Sequence, residues 1–292
     1  MEIGVGLPTT VPDVDGQRLV EWAGRAEEHG FSTLGVLDRL VYDNYESLVS
    51  LAAAAAVTRR IKLATTILLA AYRPGTPLLA KQLATVHEIS GGRLVVGVAA
   101  GGREDDFRAT GVPYHDRGRR LDAALAELRD IWDGKDTHSG VAGIGPRPGG
   151  SGPGSGPEII VGGHTPAAMR RAARHANGWI AGGSSATAYA DLAGQARAAW
   201  RAQDRADRPR LVALVYACLG PGAASTAESY LRDYYAFIGP KAEMAAKAVI
   251  TEAQALRETA AAYAAAGCDE LLVFPCSAEP AQLDLLAEAA LG

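Results

Sequence analysis

The sequence predicts an α/β fold, a single (β/α)8 TIM barrel over residues 1–292 with insertions after strands four and seven. Three observations carry that expectation. Eight short apolar segments, each followed by a stretch with helical spacing, run along the chain. The first four begin near residues 3, 33, 61 and 94, a repeat of roughly thirty residues that suits βα units of a parallel sheet. The segments, such as Leu94 to Ala100, lack polar alternation, which marks strands buried on both faces. Eight such units close a barrel, whereas six or seven would suit an open doubly wound sheet.

Ile3 to Leu7 reads as the first strand, and Gln17 to His29 as a helix stopped by Gly30. Thr33 to Leu37 is the second strand, ending on Asp38-Arg39, with a helix from about Tyr45 to Arg60 behind it. Ile61 to Leu69 is the third. Pro77 then opens a helix that Gly91-Gly92 closes, because glycine takes the left-handed conformation of a helix end. Leu94 to Ala100 is the fourth strand and leads into Gly101-Gly102. Here the rhythm breaks: an amphipathic helix, Gly118 to Trp132, and a Gly/Pro-rich stretch at 141–157 precede the fifth strand, Glu158 to Val161. Such composition cannot pack, so the stretch reads as a mobile surface loop and a candidate lid, with an interdomain linker as the alternative. The rhythm resumes with helix Thr165 to Ala176, strand Trp179 to Ala181, helix Ala186 to Ala202 and strand Leu211 to Leu219. Helices near Ala224 to Phe237 and Lys241 to Ala266 form the second insertion before the last strand, Glu270 to Phe274, and a terminal helix.

Composition narrows the function. The chain is 48% hydrophobic, enough for a large core, and its formal charge of −4 without a basic patch argues against a nucleic-acid partner. There is neither a signal-peptide pattern nor an apolar run of membrane-spanning length, so a cytoplasmic protein with no membrane partner is expected. Three cysteines without metal-ligand spacing read as buried reduced thiols, and no metal is expected.

In a barrel, chemistry sits where strands end and loops begin. That rule selects Pro8-Thr9, Asp38-Arg39, Thr65-Thr66-Ile67, Ala100-Gly101-Gly102, Gly162-Gly163-His164-Thr165, Gly182-Gly183-Ser184 and Pro275-Cys276. Thr165 and Pro166 are placed as N-cap and first residue of a helix whose free amides suit a phosphate, although the same residues serve equally as a well-capped helix. Asp38, Arg39 and His164 are the catalytic candidates, with no role fixed: Arg39 would either neutralise Asp38 or contact an anionic ligand. His164 is the one histidine at a strand end, and no nucleophile accompanies it, so a hydrolytic triad is unsupported. The acids of Arg103-Glu-Asp-Asp-Phe107 read as the solvated first turn of a helix rather than a metal cluster. Anion-cradling turns with few acid–base groups suit a large phosphorylated cofactor that brings its own chemistry.

Several stretches resemble the bacterial luciferase-like family of flavin- and deazaflavin-dependent oxidoreductases. They are Leu34-Gly-Val-Leu-Asp-Arg39, Ile61-Lys-Leu-Ala-Thr-Thr-Ile-Leu-Leu69, Ala80 to Val98, Gly102-Arg-Glu-Asp-Asp-Phe107, Arg117-Gly-Arg-Arg-Leu-Asp122 and Gly162-Gly-His-Thr-Pro166. The resemblance covers the first 180 residues well and the remainder only by its βα rhythm. It implies FMN or coenzyme F420 at the C-terminal mouth, with Asp38, Ala100 and Gly101 beside the ring and Gly163, His164 and Thr165 on the phosphate. It also implies a non-proline cis peptide matching Thr66-Ile67. F420-using relatives commonly carry Asp-His where this chain has Asp38-Arg39, and sugar-phosphate dehydrogenases place a carboxylate where Gly102 stands. These departures favour FMN. The leading expectation is an FMN-dependent monooxygenase taking separately reduced flavin from a flavin reductase, acting on a small-molecule substrate as a homodimer. The alternatives are an F420-dependent hydride-transfer enzyme and a non-catalytic flavin-binding barrel. A phosphate-binding isomerase or aldolase ranks last, since it needs a lysine or carboxylate at a strand end and only Asp38 qualifies.

Overall fold

The computed structural model describes residues 1–148 and 156–292. Eight parallel strands close into one barrel in sequence order: β1 (Glu2–Gly6), β2 (Thr33–Val36), β3 (Lys62–Leu68), β4 (Leu94–Val98), β5 (Glu158–Gly162), β6 (Gly178–Gly182), β7 (Arg210–Ala217) and β8 (Glu270–Pro275). Each strand is followed by helix. The first three units carry α1 (Gly16–Glu28), α2 (Ser47–Val57) and α3 (Thr76–Ile89), with a 3-10 turn at Ala70–Tyr72. After β4 come α4 (Glu104–Thr110) and α5 (Arg117–Trp132), and α6 (Pro166–His175) and α7 (Ala186–Arg201) follow β5 and β6. The seventh unit holds α8 (Ala223–Tyr234), a 3-10 segment at Ala236–Lys241, α9 (Ala242–Lys247) and α10 (Ala253–Ala265), and α11 (Pro280–Leu291) closes the chain.

The uniformly apolar strands divide by alternation once the barrel closes. Ala64, Val95, Ile160, Ile180, Val212, Leu214, Leu272 and Phe274 fill the interior, while Leu63, Val96, Val161, Leu271 and Val273 pack outward under the helices. Phe274 occupies the space that a side chain at Gly6 would claim, since a Cβ there would lie 2.4 Å from its ring. The N-terminal end of the barrel is tied by Glu270, buried, which accepts from Ser32 Oγ, Thr33 Oγ1 and Arg210 Nη2, each at 2.6 Å. Arg210 also reaches Glu158 at 2.8 Å.

Three expectations differ from the structure. The helix expected over Lys241 to Ala266 is two helices, because Ile250 pairs with the end of β7: its N–H donates to Tyr216 O at 3.0 Å and its carbonyl accepts from Cys218 N at 2.9 Å. The preceding helix stops at Tyr234 rather than Phe237, and Gly239, at φ 60°, and Pro240 follow it. The cis peptide among the described residues is Gly145–Pro146, not Thr66–Ile67; β3 instead shifts register against β4 between Thr65 and Leu68. Of the 141–157 stretch offered as a lid, residues 149–155 lie outside the described residues. No described helix is long and apolar enough to cross a membrane.

Candidate functional site

The strand ends and the two insertions enclose a cavity of about 1040 Å³ at the C-terminal mouth. Its walls include Asp38, Thr66, Ile67 and Leu69 from the second and third units, Arg103 from the fourth, Gly183 and Ser184 from the sixth, and Tyr216, Tyr234, Tyr235 and Phe237 from the seventh.

Asp38 continues β2 into the mouth and is buried there. Its oxygens accept from Leu69 N at 2.8 Å, Arg73 Nη1 at 2.8 Å, and Ser47 Oγ and Tyr72 Oη at 3.2 Å. Burial, with the Asp38 charge adding to it, pushes the Tyr72 hydroxyl well above the ordinary tyrosine range. The carboxylate is thus fully partnered, and its counter-ion is Arg73, not the adjacent Arg39. Arg39 turns the other way: it donates to Tyr234 O at 3.0 Å and Val41 O at 3.1 Å, and lies 4.2 Å from the centre of the Tyr42 ring.

The expectation of a solvated acidic turn fails at Asp106, which is fully buried. One of its oxygens accepts from Leu40 N at 3.1 Å and Val41 N at 2.8 Å, clamping the loop after β2. Burial outweighs those bonds and lifts its carboxyl above the ordinary range. Asp106 therefore faces inward as a tether, while Glu104 at the same helix start is exposed.

The glycine turns do not all reach the cavity. Ala99 and Gly102 line it, whereas Ala100 and Gly101 lie in the turn between them. Gly101 sits at φ 85°, and its carbonyl accepts from Arg117 Nε at 3.1 Å. Gly162 touches the cavity only through Ile67, whose Cδ1 occupies the place of a Cβ at that glycine, 2.1 Å away. The carbonyl of Gly163 accepts from Trp179 Nε1 at 2.8 Å; Thr165 caps α6 by accepting from Ala168 N at 3.2 Å, and His164 is exposed beside it. This turn stands at the rim, outside the cavity wall. Gly183 and Ser184 stand on the wall itself. Nothing lies within 4 Å of a Cβ built at Gly183, and Ser184 Oγ is buried without a hydrogen-bond partner among the described residues.

Sequence reasoning missed two features. Tyr230, Tyr234, Tyr235 and Phe237 gather on one side of α8 and the following segment, where Tyr216 Oη meets Tyr235 Oη at 3.0 Å and Tyr230 Oη meets Thr10 Oγ1 at 2.6 Å. Burial raises the Tyr216 and Tyr230 hydroxyls far above the ordinary range, so both are neutral. The i, i+4 spacing of Tyr230 and Tyr234 is visible in the sequence; the direction they face is not. Arg103, read only as part of an exposed helix start, is buried at 6% exposure. Among the described residues no group of His, Cys, Asp or Glu could hold a metal ion. The cavity thus presents a largely apolar, aromatic wall carrying neutral tyrosine hydroxyls, a lining that suits a flat ligand.

A family profile described as luciferase-like monooxygenase matches residues 1–280. An uncharacterized protein of Mycobacterium tuberculosis is 35% identical over 140 residues, 47% of this chain and 48% of that one. The F420-dependent glucose-6-phosphate dehydrogenase of Kribbella flavida is 28% identical over 155 residues, 50% and 45% of the two chains. The FMNH(2)-dependent dimethylsulfone monooxygenase of Pseudomonas putida is 35% identical over 126 residues, 41% and 34% of the two. The matched part thus spans half or less of each curated relative. Among solved structures, monooxygenase RslO1 from Streptomyces bottropensis superposes with TM-score 0.76 at 22% identity, covering 100% of this chain and 99% of the other. An F420-dependent secondary alcohol dehydrogenase in complex with an F420-acetone adduct does so with TM-score 0.80 at 16% identity, covering 99% and 98%. At these identities the superpositions speak to the fold.

Proposed function

The chain belongs to the luciferase-like monooxygenase family, and from that premise we propose that it is an FMN-dependent monooxygenase that uses reduced flavin and oxygen on a small organic substrate. One observation carries the reading: among the described residues, the cavity's buried carboxylate, Asp38, is neutralised by Arg73 and its buried tyrosine hydroxyls are neutral, so none of these groups is poised as a general acid or base. A site of that kind suits a cofactor that supplies the redox chemistry itself. Its volume, about 1040 Å³, suits a tricyclic ring with a substrate beside it.

The residues present fit such a group. Thr66, Ile67 and Leu69 offer a wall for a ring, with the small Ala99 and Gly102 alongside. The open space over Gly183 and the unpartnered Ser184 hydroxyl provide room and a donor for a phosphate, and the capped start of α6 at Gly163, His164 and Thr165 is a second phosphate position at the rim. When bound, reduced FMN supplies the electrons and the carbon framework at which oxygen is activated. The chain's own contribution is to hold the loop carrying Leu69 through Asp38, to present Tyr216 and Tyr235 as neutral hydrogen-bond donors, and to exclude water with the aromatic face of the seventh unit. A separate flavin reductase and a homodimer complete the proposal. For the latter, α2 carries the uncharged exposed stripe Val49, Ala53, Ala56 and Val57.

The second reading is hydride transfer with coenzyme F420, favoured by the likeness to the Kribbella flavida enzyme. Side-by-side titration with FMN and F420, followed by turnover assays, separates the two. Tight FMN binding with oxygen consumption from reduced FMN supports the first reading, and dependence on F420 without oxygen replaces it with the second. Absence of binding to either below millimolar concentration overturns both.

A further inference from the structure

Arg103 is a buried cation without a counterpart among the described residues. The residue is 6% exposed, and both terminal guanidinium nitrogens are closed off from solvent with no hydrogen-bond partner among the described residues. Its Cζ lies 4.2 Å from the centre of the Phe237 ring and 5.8 Å from that of Tyr234, and all three residues line the mouth cavity. An aromatic face attracts the charge but offers its N–H groups no acceptor. A guanidinium held out of water and unbonded costs free energy until an oxyanion meets it. Arg73, 14% exposed in the same mouth, has such a partner in Asp38, and Arg39 has two backbone carbonyls; among the described residues the terminal nitrogens of Arg103 have neither. Around it the wall is aromatic: Phe237, Tyr234, Tyr235 and Tyr216.

We propose that Arg103 is the anchor for the carboxylate of an aromatic acid, the substrate class of this site. The inference rests on the reading of the mouth cavity as the place where substrate is bound. The carboxylate accepts two N–H groups in the fork geometry that arginine favours, and the substrate ring lies among the tyrosines. Phe237, 44% exposed and one residue into the 3-10 segment that ends at Lys241, is the side chain that shifts to admit it. The same fork would also accept a phosphate of the cofactor. The carboxylate is favoured because Arg103 faces the aromatic wall of the seventh unit, whereas the open glycine turn and free serine hydroxyl lie on the sixth.

Calorimetric titration of the full chain with benzoate, benzamide and inorganic phosphate, before and after Arg103→Met, tests the assignment, with FMN and F420 titrated in parallel. Benzoate is expected to bind the unaltered chain and to weaken by about thirtyfold in the variant, the loss expected of a charge-assisted pair. Benzamide is expected to bind weakly and alike in both, cofactor affinities to stay the same, and the thermal midpoint to hold or rise because an unpaired buried cation has been removed. Arg103→Lys keeps the charge without the fork and is expected to recover part of the benzoate affinity. Equal binding of benzoate and benzamide to the unaltered chain, or no saturable benzoate binding at millimolar concentration, overturns the proposal. So does loss of phosphate or cofactor affinity in Arg103→Met with benzoate unaffected, which would give the cation to the cofactor, and so does a fall in thermal midpoint with benzoate binding intact. If neither FMN nor F420 binds, the cofactor reading falls by itself, while the contrast between benzoate and benzamide still decides the role of Arg103.

Discussion

Asp38 and Arg39 adjoin in sequence yet serve different neighbourhoods. Consecutive side chains leaving a strand point to opposite sides, so the adjacent arginine was poorly placed to be the counter-ion. Arg73, from the next βα unit, takes that place at 2.8 Å. Asp38→Asn is therefore expected to cost about 2–4 kcal/mol in urea denaturation, because it takes the nearer carboxylate from a largely buried guanidinium and leaves it only Glu46, at 3.4 Å, as a counter-ion. Arg39→Ala, which gives up ring contacts and two bonds to carbonyls, is expected to cost about 1 kcal/mol. Equal losses for the two would remove the distinction. Glu27 shows a carboxylate used for structure alone: its oxygens accept from the N–H groups of Arg59, Arg60 and Ile61 at 2.5 to 3.0 Å. Burial pushes this carboxyl up, but those bonds and the Arg60 charge outweigh it, and it sits below the ordinary range. An acid lowered in the folded state stabilises above its unfolded value and loses that contribution as pH falls through its folded value. Glu27→Gln is thus expected to cost about 1–2 kcal/mol near neutral pH and progressively less below about pH 4.5, followed by denaturation at a series of pH values.

At the scale of elements, the strand ends are set by what glycine leaves open. The side chain of Ile67 from β3 fills the space beside Gly162 on β5, which couples the cavity wall to the turn before α6. Gly162→Ala is expected to destabilise by about 1–3 kcal/mol through overpacking, and Ile67→Val in the same chain to return a good part of that by removing the clashing methyl. If the double variant is no more stable than Gly162→Ala alone, the two elements are not coupled there. The seventh unit illustrates the reverse dependence. Ala242 to Ala266 has strong helical propensity on either side of the β-branched run Val249-Ile250-Thr251, and there Ile250 pairs with β7 through two backbone hydrogen bonds. That run is a local signal against continued helix; the partner it finds on β7 is not encoded locally.

Across the whole molecule, the buried ion cluster and the mouth cavity stand at opposite ends of the barrel. Glu270, Arg210 and Glu158 close the N-terminal end with an ion cluster, whereas the cavity opens at the other. Arg210→Met is expected to lower stability by about 3 kcal/mol, since it strands a buried Glu270, while leaving FMN or F420 affinity unchanged. A parallel loss of ligand affinity below the unfolding transition would contradict that division.

The sequence by itself determined the barrel, its strand count, the two insertions and the strand-end residues Asp38, Thr66, Ile67, Gly183 and Ser184 that line the mouth. These were legible because apolar periodicity and glycine punctuation are local properties, and because eight βα units have one way to close. Tertiary structure alone decided that Arg73 partners Asp38, that Asp106 faces inward, that the Gly162 to Thr165 turn stands at the rim, and that Arg103 meets Phe237 across 134 positions of sequence with no acceptor for its terminal nitrogens among the described residues. Side-chain partners separated by whole βα units are fixed by barrel closure and by how the insertions fold over the mouth, and no spacing along the chain encodes either.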